Sequence, residues 1–338
     1  MLGIWYNKAK GEKQMITINN MDVKQADCIL VQFKKDDKYF NLLVDGAYKK
    51  DRVDSALDII LKDQDIQGVV LSHLDADHIS GVINLVEMKY SKIKDAFLLF
   101  NKFDSDLISY KQAKTLEHKF GKNYPANKLI KSYEESFTQE LVEQINGNDE
   151  FLHVRIYSLA QRQMKEEMEQ DIVNITILGP SMEHAKRFMQ KWNKDIVDGK
   201  IINRSSIMLL LEFDNKAVIL SGDGYYSDIK EAIDGIEDLK KIHVIKAAHH
   251  GAVNNNDALS DLVTQYKIDH VFFTIDESKY NKNKEHPSPD ILVKLQETGV
   301  KMTCSSNIDT FCTAQGEPEE LKKLSNYMEQ QEKIEVGV

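Results

Sequence analysis

Two histidines and two aspartates stand close together directly after a strongly apolar run. The run is Val69-Val70-Leu71, and the polar residues are His73, Asp75, Asp77 and His78. Imidazole nitrogens and carboxylate oxygens are both ligands of divalent cations. Four such groups packed together without cations would be costly to desolvate. The pattern therefore predicts a metal site in the loop that follows a buried strand.

A plainer interpretation of this cluster is a polar loop with incidental histidines, in which Asp77 caps a helix. Each residue alone would favour that interpretation, but the dense grouping favours the metal site. Gly81 would let the following helix begin close to the site, because glycine has no side chain to keep the backbone away.

Further polar residues follow later apolar runs in the same way. Asp223 lies in SGDG, His249 and His250 lie in AAHHG, and His286 lies in EHPSP. In layered α/β proteins the carboxyl ends of strands share one edge, where ligand sites form. An aspartate in SGDG alone is usually a turn residue, so the prediction depends on the whole set.

The order of elements predicts how these residues are positioned. Strand-like runs occur at 15–18, 27–33, 39–45, 67–72, 96–100, 174–179, 206–213, 216–223, 241–249 and 269–275. Helical patterns occur at 51–63, 79–90, 104–120, 128–146, 160–170, 182–195, 227–239, 257–267 and 288–299. This order predicts an α/β domain in which two sheets pack inside helices. The helical block at about 104–170 interrupts it and is predicted to be an insertion.

The composition is that of a globular protein, with 338 residues, 42% hydrophobic and 29% charged. No apolar run approaches the roughly 18 residues of a membrane span, and the N-terminus lacks the apolar core of a signal peptide. We therefore expect a cytoplasmic protein with no membrane partner. Cys28, Cys304 and Cys312 are scattered, which favours free thiols over a disulfide framework or structural zinc.

The charge distribution bears on the substrate. The net charge of −10 argues against non-specific nucleic-acid binding, which needs local Lys and Arg. The stretch 111–133 nevertheless carries six Lys and one Glu. It is either a solvated helix face, the commoner case, or a landing surface for an anionic substrate.

The motifs together resemble the metallo-β-lactamase-fold hydrolases, and in particular their ComEC-type branch. HLDADH (73–78) is similar to the signature H-x-H-x-D-H, with the Asp at its third position that the branch has. The segments 26–48, 203–213, 218–223, 245–252 and 286–292 match its other motifs in order. The resemblance implies a four-layered αββα sandwich over residues 1–316, followed by an acidic C-terminal tail at 317–338. Two departures, DVKQADC in the first loop and DGA for DGG, would alter the backbone near the site.

The resemblance implies two metal sites that share one carboxylate. By position, His73 and Asp75 would hold a first cation, and Asp77 and His78 would hold a second. Asp223 would bridge the two. The cations would be Mn²⁺ or Zn²⁺, with Mn²⁺ slightly ahead because Asp75 makes the first site richer in oxygen.

Five other residues receive roles by the same comparison. His249 would complete the second metal site, and His250 competes for that role or else binds substrate. Asn203 and Ser205 stand where many relatives offer a further His, and either could contact a phosphate or orient water. His286 would bind a substrate oxygen or protonate the leaving group, although capping the helix at 288–299 is about as good an explanation.

We therefore predict a binuclear metal-dependent hydrolase in which the cations share a hydroxide that Asp77 orients. The favoured activity is that of a phosphodiesterase or nuclease acting on a phosphate-containing substrate, a nucleotide or a nucleic acid. One alternative is a lactone or thioester hydrolase, which could use the same metals. Another is a hydrolase subunit gated by a partner protein that contacts the insertion or the tail.

Overall fold

In the part of the chain that the structure describes, two β-sheets and six α-helices form the layers around the candidate site. In the computed structural model of the chain, the described residues are 14–23, 26–35, 38–48, 53–73, 75–94, 96–99, 173–181, 184, 187–188, 199–213, 215–236, 239–275, 286–305, 328–330 and 333–336. The predicted helical insertion at about 104–170, with its Lys-rich stretch, lies outside them.

Helices are interspersed among the strands along the chain, as in other layered α/β proteins. In chain order they are β1 (Gln14–Asn20), β2 (Ile29–Lys35), β3 (Lys38–Val44), α1 (Val53–Leu61), β4 (Gly68–Val70), α2 (Ala76–Glu87), β5 (Phe97–Leu99), β6 (Asn174–Gly179), α3 (Gly199–Arg204), β7 (Met208–Phe213), β8 (Lys216–Leu220), α4 (Tyr226–Asp234), β9 (Lys241–Lys246), α5 (Leu259–Tyr266), β10 (His270–Phe273), α6 (Pro289–Thr298), β11 (Lys301–Cys304), β12 (Met328–Gln330) and β13 (Lys333–Val336).

The described strands form one sheet of six and one of seven. The first has the order β13-β1-β2-β3-β4-β5, and the second has the order β12-β11-β10-β9-β8-β7-β6. The pairs β3-β4 and β4-β5 are parallel, as are β8-β9 and β9-β10. Parallel neighbours end at the same edge, so the loops after them meet there.

Three apolar clusters stack the layers. One lies between the sheets and joins side chains such as Phe33 of the first to Phe272 of the second. The second packs α1 and α2 on the outer face of the first sheet, with Leu57 and Val82 in it. The third packs α4, α5 and α6 on the outer face of the second sheet. The predicted αββα layering is thus confirmed.

The boundaries differ from the predicted ones where polar residues begin. Helix α2 begins at Ala76, three residues before the predicted start, which places Asp77 in its first turn. Strand β8 ends at Leu220 and β9 ends at Lys246. The predicted extensions to 223 and 249 were wrong, because the backbone turns into the left-handed region at Gly222 and at His249.

The last part of the chain also contributes to the sheets. The sequence assigns 317–338 to an acidic tail, but 328–330 and 333–336 form β12 and β13, one in each sheet. Strand β11 was not predicted, since KMTC is short and mixed in polarity. Among the described helices, none is both long enough and apolar enough to cross a membrane.

Candidate metal centre

His73 follows β4 and is buried, with its two ring nitrogens in different surroundings. Its Nδ1 lies 3.0 Å from Oγ of Ser72. That hydroxyl donates to Oδ2 of Asp45 at 2.7 Å, so it accepts from Nδ1–H of His73. This network assigns the lone pair of His73 to Nε2, the nitrogen that faces the centre of the site.

His78 lies in the first turns of α2 and is oriented by the same carboxylate. Its Nδ1 lies 2.8 Å from Oδ2 of Asp45, and its Nε2 lies 3.5 Å from Oδ1 of Asp223. The rings of His73 and His78 are 4.0 Å apart, centroid to centroid. A carboxylate behind an imidazole fixes its tautomer and leaves Nε2 free to bind a metal.

Asp223 occupies the centre of the site, in the turn after β8. Its Oδ2 lies 3.7 Å from Nε2 of His73 and equally far from Nε2 of His249. The turn approaches β4 so closely that a Cβ at Gly222 would lie 2.7 Å from Cβ of Ser72, and Gly222 also has a φ of +51°. Only glycine satisfies both conditions without strain.

The two consecutive histidines after β9 face different parts of the site. Both have left-handed backbone, with φ of 47° at His249 and 53° at His250. Nδ1 of His250 donates to the carbonyl of Thr274 at 2.8 Å, and its Nε2 lies 3.6 Å from Oδ2 of Asp77. Such backbone is uncommon outside glycine and clusters at functional sites.

His249 lies nearer the rim of the site. Its Nε2 faces Asp223, while its Nδ1 lies 3.1 Å from Nδ2 of Asn203 and 3.4 Å from Oδ1 of Asn255. About a third of the side chain is exposed, whereas that of His250 is buried. His249 is therefore more accessible than His250 to a ligand that enters from solvent.

Asp75 and Asp77 reach the centre from its exposed side. Oδ2 of Asp75 lies 3.6 Å from Nε2 of His73. The side chain of Asp75 is 37% exposed, and that of Asp77 is 23% exposed. Both carboxylates can therefore meet a cation and solvent together.

Four buried side-chain atoms at this centre make no hydrogen bond. They are Nε2 of His73, Nε2 of His78, Nε2 of His250 and Oδ1 of Asp223. Leaving buried polar atoms unbonded costs free energy, and such atoms call for a missing partner. Imidazole nitrogens beside carboxylate oxygens are a donor set for divalent cations, so the residues fit metal ions.

Among the described residues, two overlapping groups of three have donor atoms near enough to share a cation. One is His73, His78 and Asp223, and the other is Asp27, His78 and His250. In the second group Asp27 already lies 2.7 Å from Nζ of Lys246. A metal there would face that buried ammonium, so Asp27 is better explained as a partner of the histidines than as a ligand.

Asp27 supports both histidines from behind. Its carboxylate accepts from Oγ1 of Thr274 at 2.6 Å and lies 3.7 Å from Nδ1 of His78 and of His250. Burial opposes its ionisation, but Lys246 and then the imidazoles hold the pKa of Asp27 below its usual value. Asp27 is therefore ionised at neutral pH.

The charges of the site are strongly coupled. Burial lowers the pKa of His78, but Asp223 and Asp45 outweigh it and raise that pKa well above its usual value. The pKa of His250 is raised likewise, with Asp77 opposing the effect of burial. In return, and despite burial, the histidines lower the pKa of Asp77 and of Asp223. Without metal, protons on the imidazoles balance the carboxylates.

The other three predicted site residues lie in different surroundings from one another. Asn203 contacts His249, whereas Oγ of Ser205 is buried and donates to the carbonyl of Ile202 within the turn that ends α3. The ring of His286 lies 5.1 Å from that of His249. Ser288, two residues after His286, occupies the N-cap position of α6.

Sequence reasoning did not identify the residues behind the ligands. They are Asp27, Asp45, Ser72, Lys246 and Thr274. A signal existed for two of them, since Asp45 follows the apolar run of β3 and Lys246 interrupts the apolar run HVIKAA. A charged residue within a buried strand usually has a specific partner.

Comparison with known proteins agrees with this description. Residues 21–88, from the loop before β2 to the end of α2, match the Metallo-beta-lactamase superfamily. The two sheets flanked by helices are consistent with the metallo-β-lactamase sandwich fold. The matched range includes His73, Asp75, Asp77 and His78, whereas Asp223, His249 and His250 lie outside it.

Two solved structures to which the chain shows a distant likeness are a diphosphatase from the PhnP family and CmlA, a diiron β-hydroxylase from Streptomyces venezuelae. The first has a TM-score of 0.40 and 10% identity, covering 96% of this chain and 98% of that chain. The second has a TM-score of 0.39 and 11% identity, covering 87% of this chain and 53% of that chain. No curated protein sequence matches this chain significantly.

Proposed function

We propose that this chain is a binuclear metal-dependent phosphodiesterase. The observation that carries the proposal is the convergence of four buried atoms that lack hydrogen bonds, on His73, His78, His250 and Asp223. The match of residues 21–88 to the Metallo-beta-lactamase superfamily also suggests a metal-dependent hydrolase. The phosphodiester substrate is argued from the donor set and from the rim of the site.

The first cation would be bound by His73, Asp75 and Asp223, with His249 near the same carboxylate oxygen. Nε2 of His73 lies 3.6 Å from Oδ2 of Asp75 and 3.7 Å from Oδ2 of Asp223. Such distances are expected between ligands of one ion. Asp75 adds an exposed oxygen, so this half of the centre is open to water and substrate.

The second cation would be bound by Asp77, His78 and His250, with Asp223 shared between the two ions. His250 is assigned in place of His249 because its Nε2 lies 3.6 Å from Asp77, while its Nδ1 is held by Thr274. Nε2 of His78 faces Oδ1 of Asp223, whereas Nε2 of His73 faces Oδ2. A carboxylate placed in this way can bridge two metals.

Three carboxylates in the donor set favour cations that bind oxygen well. We propose Mn²⁺ or Zn²⁺, with Mn²⁺ slightly ahead, because Asp75 stands where an imidazole would make a zinc site. When bound, such a pair lowers the pKa of water and neutralises oxyanion charge. Asp77, which is partly exposed, would orient the attacking water by accepting its hydrogen bond.

The rim presents hydrogen-bond donors to a substrate oxygen. His249 contacts Asn203 on one side and the ring of His286 on the other. These neutral or cationic donors suit the unesterified oxygens of a phosphodiester. His286 lies where it could give a proton to the leaving oxygen.

The resemblance of the sequence motifs to the ComEC-type branch also supports a phosphodiester substrate. HLDADH and the later motifs support it, and a nucleotide or nucleic acid would be the substrate. A protein partner that contacts the 104–170 block or the 317–338 segment would add a gate. Full activity of the isolated chain would argue against such a gate.

The test is hydrolysis of bis-p-nitrophenyl phosphate by the purified protein supplied with Mn²⁺ or Zn²⁺. We expect turnover that Asp77→Asn lowers at least about a hundredfold, because the side chain both binds metal and orients water. His243→Ala is the matched control, since His243 is a partly exposed residue of β9 that pairs with Asp269. Folded, metal-loaded protein that cleaves lactones or thioesters and not the diester would overturn the proposal.

A further inference from the structure

A pocket of about 370 Å³ opens beside the metal centre and has a basic lining. Its polar lining residues are His184, Arg187, Lys200, Arg204, Tyr225 and Asn254. None of the described lining residues is acidic, although the chain as a whole has a net charge of −10. A concentration of cations in an acidic protein needs a reason, and an anionic ligand supplies one.

The walls of the pocket continue the segments that build the metal centre. Arg204 directly follows Asn203, whose amide lies 3.1 Å from Nδ1 of His249. Asn254 directly precedes Asn255, which donates to the backbone carbonyl of Asp223 at 2.7 Å. The pocket therefore lies on the His249 side of the centre, between two segments that also contact His249 and Asp223.

Arg204 is held in place before any ligand arrives. Its guanidinium lies over the ring of Tyr225 at 4.4 Å, and its Nη1 lies 2.8 Å from Nε2 of His184. Nδ1 of His184 in turn lies 3.3 Å from Asp228, the acidic group behind this wall. An oriented guanidinium binds phosphate with little loss of side-chain entropy.

Arg187 and Lys200 complete the set of cations and are both exposed. Since Arg204 is partly buried and these two project into solvent, a ligand can reach all three without the fold opening. Three cations around one concave surface are complementary in sign to a phosphate group.

We propose that this pocket binds a phosphate of the substrate other than the phosphate that is cleaved. The proposal rests on the proposed function and narrows its substrate class to phosphodiesters with at least one further phosphate. The second phosphate can be a terminal monoester of a small nucleotide or an internal diester of an oligonucleotide. Cyclic mononucleotides, which have a single phosphate, would be poor substrates.

The experiment compares kcat/KM for the thymidine dinucleotide, its forms with a terminal phosphate at either end, and the unphosphorylated trinucleotide. We expect about a tenfold preference for at least one substrate with a second phosphate over the plain dinucleotide. Preference for a terminal phosphate identifies a small nucleotide, and preference for the trinucleotide alone identifies an oligonucleotide.

The variant that tests the pocket is the double substitution Arg187→Gln with Lys200→Gln. Both side chains are exposed, so the fold should tolerate the change, which thermal unfolding checks. In this variant, we expect kcat/KM for the substrates with a second phosphate to become nearly equal to kcat/KM for the plain dinucleotide. Lys94→Gln, an exposed lysine outside the pocket, should keep the wild-type ratio.

The other outcomes separate this proposal from the proposed function. Equal cleavage of all four substrates by the wild type would overturn the pocket and leave the phosphodiesterase standing. If the folded, metal-loaded protein cleaves no diester, the proposed phosphodiesterase activity is overturned. The pocket is then tested separately, by measuring the binding of inorganic phosphate to the EDTA-treated protein. Binding that the double variant loses would support the pocket, and no binding would overturn it.

Discussion

Asp27 and Lys246 form a buried ion pair, with 2.7 Å between Oδ2 and Nζ, that joins the two sheets behind the candidate metal centre. Asp27 lies just before β2 in one sheet, and Lys246 is the last residue of β9 in the other. Lys246 also donates to the carbonyls of Gly222 and Ala247. The pair therefore fixes the turns that carry Asp223 and the two adjacent histidines.

We expect Lys246→Met to lower the free energy of unfolding by roughly 3–5 kcal/mol, because it leaves the Asp27 carboxylate buried without its cation. Urea unfolding of the metal-free protein would measure it. Lys241→Met is the matched control on the same strand, since Lys241 pairs with Asp269 at the surface and should cost under about 1 kcal/mol. Equal effects of the two substitutions would contradict the structural role given to the pair.

Without metal, the protein should be most stable at mildly acidic pH. The pKa values of Asp27 and Asp223 are lowered by folding, so their stabilisation is present above about pH 4 and is lost as the pH falls below it. The pKa values of His78 and His250 are raised, so their stabilisation is complete below about pH 6.5 and is lost as the pH rises toward their folded values.

The measurement is urea unfolding of the EDTA-treated protein at about pH 3, 5.5 and 8.5. We expect the highest stability at the middle value, and a stabilising effect of added metal that grows with pH, because the cation displaces protons from the imidazoles. A metal-free stability that rises steadily to the highest pH would show that these histidines are neutral in the folded protein.

Asp45 should control metal affinity without touching the metal. It accepts hydrogen bonds from Ser72 and lies 2.8 Å from Nδ1 of His78. Asp45→Asn keeps the shape and, because Asn also tolerates its left-handed backbone (φ 59°), it should keep the fold. We expect roughly 10–100-fold weaker metal binding, measured by competition with a chelator. Asp58→Asn, at a carboxylate that binds Tyr90 on the surface, should leave the affinity unchanged.

The sequence was sufficient to predict the candidate metal ligands that the fold brings together, because each stands directly after an apolar run that is long enough to be a strand. It could not choose between His249 and His250, which share one strand, one loop and one residue type. That choice depends on the left-handed backbone at both positions, which turns their rings in different directions. It also could not pair Asp27 with Lys246, since that contact exists only once the two sheets pack.

The distinction between the two histidines can be tested by metal content. We expect His250→Ala to reduce bound metal from two ions toward one, because it removes a ligand that Thr274 holds toward Asp77. His249→Ala should retain more metal than His250→Ala, since His249 is partly exposed at the rim. Elemental analysis of both variants after dialysis would decide, and the reverse order would return His249 to the second site.

Gly81 should be irreplaceable for a steric reason. It lies in α2 three residues after His78, and its N–H donates to the carbonyl of Ala47 at 2.9 Å. A Cβ at this position would lie 1.6 Å from the carbonyl oxygen of Gly46, which is backbone and cannot move aside. The helix that carries Asp77 and His78 would therefore have to shift away from the turn after β3.

We expect Gly81→Ala to cost more than about 4 kcal/mol of folding free energy, within the exceptional range for one substitution. Gly199→Ala provides the control, because nothing lies within 4 Å of a Cβ there and alanine favours the helix that begins at this residue. Thermal unfolding with and without metal would compare them. If Gly81→Ala unfolded like the wild type and bound metal normally, the close contact between α2 and this turn would not be what holds the second metal site in place.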